Sequence, residues 1–269
     1  MQLLHPDILF TFLIITIILN QIPISSCAND VHYEKCSSSF RCANLKNLTY
    51  PFWGSSRPQY CGHPAFELQC RGEVATFTIM SESYRVLEVR DSDHRLRVER
   101  SDYWNNTCPT SLRNTTIDCN FFHYGPDSRN LTLYYDCPSP PFPQPGTASF
   151  SPRFNCSVNG TQKDNYFMME SILENADTSS SLSEIMGTCK SRVIVPILES
   201  EAELIETNST VVNLKVALDH GFDVDWDANN SLCDECHNSG GHCGYSPSSG
   251  DFACYCRDGS FPSSCKSGE

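Results

Sequence analysis

Cysteine spacing constrains this chain more than any other feature. Sixteen cysteines stand among 269 residues, too many for isolated catalytic thiols and suited to a disulfide framework formed in an oxidising compartment. They fall in blocks: Cys36, Cys42, Cys61 and Cys70; then Cys108, Cys119 and Cys137; then Cys156 and Cys189; and a tail of Cys233, Cys236, Cys243, Cys254, Cys256 and Cys265. Six cysteines within 33 residues leave too little apolar mass to wrap a core, so bridges must hold the tail. Removal of a leader after Cys27 or Ala28 leaves fifteen cysteines, an odd number. Cys119, in N-T-T-I-D-C, is the candidate for the one left over, and spacing does not give the pairing of the rest.

The N-terminus agrees with export. Ile8 to Leu19 is an unbroken apolar run of a dozen residues, short for a membrane span and right for the core of a signal peptide. Residues 1–28 are read as that leader, with small residues Ser25, Ser26 and Ala28 near the cut. Sequons begin at Asn47, Asn105, Asn114, Asn130, Asn155, Asn159, Asn208 and Asn229. Eight acceptors point to glycosylation in exposed loops of a secreted chain. The net charge of −13 is lopsided: residues 27–137 carry 12 Lys/Arg against 13 Asp/Glu, residues 138–269 carry 7 against 18. A polyanion is tolerated by the first half and repelled by the second, and nucleic acid suits neither.

The first half reads as short antiparallel strands: Val74 to Met80, Tyr84 to Arg90, Arg95 to Arg100 and Asn130 to Tyr135, with Asp91, Ser92 and Asp93 as a turn. Leu96 and Val98 should face a core, and Arg95, Arg97 and Glu99 water. The run P-S-P-P-F-P-Q-P is a polyproline-type spacer and marks a boundary at 138–149. Beyond it, Tyr166 to Ala176 has helical character. Val193 to Leu198 reads as an edge or irregular strand because of Pro196. Val211, Leu214 and Leu218 recur at helical spacing up to Gly221, and Phe222, Val224 and Trp226 then alternate with outward Asp223 and Asp225. The fold class expected is a disulfide-rich, mainly β N-terminal module over 29–137, followed by a small α+β cysteine-rich module over 150–269.

One stretch concentrates chemistry. Between Cys42 and Cys70, Lys46, Tyr50, Trp53, Arg57, Tyr60 and His63 bring rings and cations together. Phe52 reads as core. Tyr50 and Trp53 suit either core or ligand contact, and Arg57 suits a surface role. Arg95, Arg97 and Arg100 form a second cationic run that reads as a solvated face. Zinc at Cys233, Cys236, Cys254 and Cys256 with His237 and His242, and calcium at Asp223, Asp225 and Asp227, are poorer readings than oxidised cystines and an outward strand face. No cofactor is expected. Neither a paired-carboxylate cleft nor a nucleophile elbow is evident, so no catalytic activity is expected.

The motifs C-x5-C, N-L-T-Y-P-F-W-G, Y-C-G-H-P-x-F-x-L-x-C and L-T-L-Y-Y-D-C resemble the galacturonan-binding domain of plant wall-associated receptor kinases. G-F-D-V-D-W, C-D-E-C, S-G-G-x-C-G-Y and F-x-C-Y-C-x-D-G resemble the cysteine-rich domain that follows it, in the order seen in leaf-rust-resistance-locus receptor-like kinases. The resemblance implies an ectodomain that binds acidic wall polysaccharide, its rings against sugar faces and its cations against uronate carboxylates. It also leaves open a peptide or a receptor ectodomain as partner. Family members carry a cytoplasmic serine/threonine kinase. This chain has no G-x-G-x-x-G, H-R-D or D-F-G motif, so the expectation is a secreted wall protein or the extracellular piece of a membrane receptor.

Overall fold

The computed structural model describes residues 30–138, 152–158, 161–171 and 186–266. The expected leader, linker residues 139–149, the sequon at Asn159 and residues 172–176 of the expected helix lie outside them.

A short helix, α1 (Val31–Cys36), starts on Asp30, whose carboxylate accepts from the backbone N–H of His32 and Tyr33. It leads into the hairpin β1 (Phe40–Cys42) and β2 (Leu45–Leu48), then into two 3-10 turns at Gln59–Cys61 and Pro64–Phe66. Strands β3 (Thr76–Ile79), β4 (Glu82–Arg90), β5 (Arg95–Arg100), β6 (Phe122–Tyr124) and β7 (Ser128–Cys137) follow. After the spacer come β8 (Arg153–Val158), β9 (Thr161–Met169), β10 (Ser191–Leu198), α2 (Glu199–Thr207), α3 (Val211–His220), β11 (Phe222–Trp226), α4 (Asn230–Asn238), β12 (His242–Tyr245), β13 (Phe252–Cys256) and β14 (Gly259–Phe261).

The fold is the disulfide-rich, mainly β one expected, with an N-terminal β module and a cysteine-rich C-terminal one, but strands from the two sides of residues 138–149 share sheets. Strand β11 lies between β5 and β6 in a five-stranded antiparallel sheet ordered β3-β4-β5-β11-β6, and β7 joins β10-β7-β9-β8. Cys108 bonds Cys156 and Cys137 bonds Cys189, so two cysteines of the N-terminal half tie it to the C-terminal half. A division at 138–149 therefore cuts across both large sheets. The physical cause is β11: Phe222, Val224 and Trp226 are 0–3% exposed and need the apolar face that Leu96, Val98 and Phe122 share.

Two main cores result. One fills the space between the inner face of the five-stranded sheet, the turns around Phe52 and Phe66, and the cystine-rich tail. The other lies under the four-stranded sheet, where α2 and α3 contribute Ala202, Ile205, Leu214, Ala217 and Leu218. Helix α3 ends at Gly221, with φ 66°, where any Cβ would run into the Val98 carbonyl; only glycine lets the chain turn this closely onto β5. Strand β10 is the sheet edge, which accommodates Pro196. Tyr166, expected in a helix, lies in strand β9, whose residues 165–169 are all buried.

Seven disulfides close the fold: Cys36–Cys61, Cys42–Cys70, Cys108–Cys156, Cys137–Cys189, Cys233–Cys243, Cys236–Cys254 and Cys256–Cys265. Cys119 is free and exposed. No helix among the described residues is long and apolar enough to cross a membrane.

Candidate functional site

The six residues singled out between Cys42 and Cys70 separate into structural and exposed groups. Arg57, expected at the surface, is 5% exposed. Its Nε donates to the Cys61 carbonyl (3.3 Å), its Nη2 to the carbonyls of Cys36 and Cys61 (both 3.2 Å), and its Nη1 to that of Ser38. The guanidinium thus fastens both ends of the Cys36–Cys61 bridge. Burial pulls it down to about 10, still charged at neutral pH. Its burial has a clear cause: these carbonyls converge only once the bridge has brought residues 36–38 beside residue 61.

His63 is also buried. Its Nδ1 accepts from the Ala65 N–H (3.2 Å) to cap the second 3-10 turn, and its ring lies among Phe66, Phe121 and Tyr245. Burial lowers its basicity. The Tyr50 hydroxyl donates to the Ala228 carbonyl (2.5 Å) from a buried position, and burial pushes its pKa up. Trp53 is half-buried, its Nε1 donating to the His63 carbonyl (2.9 Å). Tyr60 is half-buried in an aromatic seam where α1 meets β12 and β13. His32 packs edge-on to Tyr60 (4.6 Å) and stacks on Tyr255 (4.9 Å), while Tyr33 meets His242 (4.6 Å) and lies 5.9 Å from the Arg257 guanidinium. This seam joins residues more than 180 positions apart, beyond the reach of any local pattern.

Lys46 alone of the six is exposed, and the structure supplies it with companions. In the β1–β2 hairpin, Phe40, Cys42, Leu45 and Leu48 point into the core, and a bulge sets Arg41 opposite Lys46 and Asn47 on the outer side. The Cys42–Cys70 bridge, with Cα atoms 4.8 Å apart, then brings Arg71 alongside. With about 3.8 Å per chain step, the Arg41 and Arg71 Cα atoms lie within about 12 Å of each other. Arg41, Lys46 and Arg71 are exposed, and none of the ion pairs among the described residues uses them. Sequence reasoning missed Arg41 and Arg71; Arg41's place between two core residues at period two was the available signal.

The outer face of the five-stranded sheet is different. Arg97 and Arg90 both hold Asp223 (3.0 and 2.5 Å), Arg95 pairs with Asp225, and Arg85 with Glu99 (3.1 Å). Arg100, which the sequence grouped with Arg95 and Arg97, points the other way and is buried on Asp102 (2.8 Å). Asp223 and Glu99, expected to face water, are each 2% exposed because cross-strand arginines cover them. Desolvation pushes Glu99 up to about 7 against the pull of Arg85, whereas hydrogen bonds from Arg97 and Arg90 outweigh desolvation and hold Asp223 below the ordinary carboxylate range. Asp223 and Asp225 are thus committed to arginine, and the cysteines considered for zinc are oxidised in pairs. A cleft of about 470 Å³ bordered by Tyr135, Leu112, Lys163 and Lys190 likewise has both lysines drawn onto Asp136 (2.9 and 4.0 Å).

Paired sheets closed by cystines, with Arg41, Lys46 and Arg71 held near one another by the Cys42–Cys70 bridge, define a disulfide-braced, mainly β scaffold. The wall-associated receptor kinase galacturonan-binding family matches residues 36–100, and the wall-associated receptor kinase C-terminal family matches residues 155–259. In Arabidopsis thaliana, leaf rust 10 disease-resistance locus receptor-like protein kinase-like 2.1 is 33% identical over 90% of this chain and 37% of its own length. The 2.8 and 2.5 proteins of that series are 32% and 31% identical over 88% and 85% of this chain, and 26% and 34% of their own lengths. The chain belongs to the ectodomain family of these wall-associated-kinase-like receptors, and it spans about a third of the length of the curated relatives it matches. No solved structure matches it.

Proposed function

We propose that this chain is an extracellular recognition domain for acidic wall polysaccharide, galacturonan above all, and that Arg41, Lys46 and Arg71 receive the carboxylates. One observation carries the reading. Within the segment matching the galacturonan-binding family, these three cations are exposed without a carboxylate partner, while every arginine from Arg85 to Arg100 is already ion-paired and Arg57 is buried. A polymer with one carboxylate per sugar suits a short row of cations on a rigid hairpin, and arginine grips carboxylates bidentately. Tyr60 and Trp53, half-buried, are the sequence-selected rings that keep some open surface. The seven sequon asparagines among the described residues are all exposed, in keeping with a secreted glycoprotein of the wall or of the outer side of the plasma membrane.

The seam of Tyr33, Tyr60, His32 and Arg257 supports a second reading, a peptide or receptor ectodomain as partner, because tyrosine and arginine anchor protein interfaces. Titration of oligogalacturonide against the secreted protein separates the two. The triple variant Arg41→Ala, Lys46→Ala, Arg71→Ala should lose about tenfold in affinity, as three exposed charge contacts of up to about 1 kcal/mol each allow. The wild-type affinity should fall steeply with added salt. Binding that ignores both the triple substitution and salt would overturn the galacturonan reading.

A further inference from the structure

We propose that the N-linked sugar on Asn105 packs on the open face of Trp104, making an intramolecular carbohydrate-binding site on the outer side of the five-stranded sheet. Trp104 is 49% exposed, whereas Trp53 is half-buried and Trp226 is 3% exposed. The Arg85 guanidinium lies 3.6 Å from the Trp104 ring centroid. An indole with a cation that close beneath it has one face closed and the other facing solvent. The C–H face of a sugar complements the electron-rich face of an aromatic ring, and this open face is within reach of one.

The backbone says which partner is nearest. Asn105 begins the sequon Asn105-Asn106-Thr107 and follows Trp104 directly. The turn carrying them is rigid at its base, where Arg100 grips Asp102 through two hydrogen bonds (3.0 and 2.8 Å) and Tyr103 is 1% exposed. Asn105 sits in the left-handed region at φ 51°, held by its N–H to the Asp219 carboxylate (2.7 Å). The Asn106 side chain is consumed within the turn, donating to the Asp102 carbonyl (2.9 Å) and accepting from the Cys108 N–H (3.0 Å). No side-chain hydrogen bond of Asn105 is found among the described residues, and it is exposed. The amide free for linkage is thus the one beside the open indole face, on a turn that cannot swing away. A sugar there also lengthens a stack that runs from the solvent through Trp104 and Arg85 to the buried Glu99.

The test is a double-mutant cycle on the secreted glycoprotein, with no soluble oligosaccharide present, so that it stands apart from the hairpin reading. Peptide mapping should find Asn105 glycosylated. Trp104→Ala should lower Tm by about 2–4 °C in the glycosylated protein. Because that substitution also removes the Arg85 contact, the same comparison is made in a Thr107→Val background, which removes the acceptor signal and leaves the left-handed backbone of Asn105 alone; there the loss should be no more than about half as large. An unmodified Asn105, or an equal Tm loss in both backgrounds, overturns the proposal.

Discussion

The outer face of the five-stranded sheet and the β1–β2 hairpin are both arginine-bearing surfaces, and they are built for opposite ends. On the sheet, Arg85, Arg90, Arg95 and Arg97 stand across from Glu99, Asp223 and Asp225, so Arg85 ties β4 to β5 while the other three hold β11, from the far half of the chain, in register. On the hairpin, Arg41 faces Lys46 and Asn47, with Arg71 tethered close by, and among the described residues no carboxylate pairs with the three cations. Counting basic residues would rank the sheet first as a polyanion site. Asking which cations remain unpaired reverses that order, since breaking a buried pair to reach a ligand forfeits what the pair contributed.

Arg57 gives the sharpest break, because the sequence favoured a surface role for it, with ligand contact as one possibility, and the structure makes it a buried brace. Arg57→Ala leaves the carbonyls of Cys36, Ser38 and Cys61 without their donors. At about 1–3 kcal/mol for each buried group left unsatisfied, the loss should be on the order of 3–5 kcal/mol. It should appear as a large drop in the denaturant midpoint and in secreted yield. A variant with an unchanged midpoint that fails only in oligogalacturonide binding would return Arg57 to the ligand side and undo the contrast drawn above.

Glu99 tests the sheet face. Its folded-state pKa is raised from 4.5 to about 7, first by desolvation; Arg85 pulls it back, Asp219 adds to the rise and His220 opposes it. The folded protein therefore holds this proton more tightly than the unfolded chain. The resulting stabilisation is complete below pH 4.5 and is lost as pH rises through 7. Its ceiling is roughly 3 kcal/mol. Urea midpoints should fall between pH 4.5 and 8, and Glu99→Gln should flatten that decline. A midpoint that instead climbs over the same range would show that Arg85 dominates and that Glu99 is an ordinary ion-pair partner.

How much of this was legible in the sequence depended on whether the signal was local. That the cysteines pair with one left over followed from their number, with Cys119 in N-T-T-I-D-C the candidate, and α3 with its Gly221 stop followed from helical spacing. Strand β9 was partly misread because Tyr166 and Met168 face one core while Phe167 and Met169 face another. Burial on both faces erases the alternation that marks a strand. The burial of Arg57 and the insertion of β11 between β5 and β6 depend on contacts made only after distant segments meet. Opposed charges at Arg97/Asp223 and Arg95/Asp225 were visible as residues, but not as neighbours.

The smallest effect expected concerns the hairpin itself. Asn47, the bulge residue opposite Arg41, is a sequon acceptor on the same exposed side as Lys46. A sugar there is bulky and would partly screen the cations from a polymer. Asn47 is the wrong residue to change, because it holds φ at 57°, a region asparagine tolerates better than most side chains. Thr49→Ala removes the acceptor signal and leaves that backbone alone, since Thr49 contributes its carbonyl to Phe52 through the main chain. Oligogalacturonide affinity should rise roughly two- to threefold, less than 1 kcal/mol, with an unchanged salt slope because the cations are the same. A fall in affinity on Thr49→Ala would mean that the sugar at Asn47 helps to seat the polymer, and that the hairpin presents its cations and its glycan as one surface.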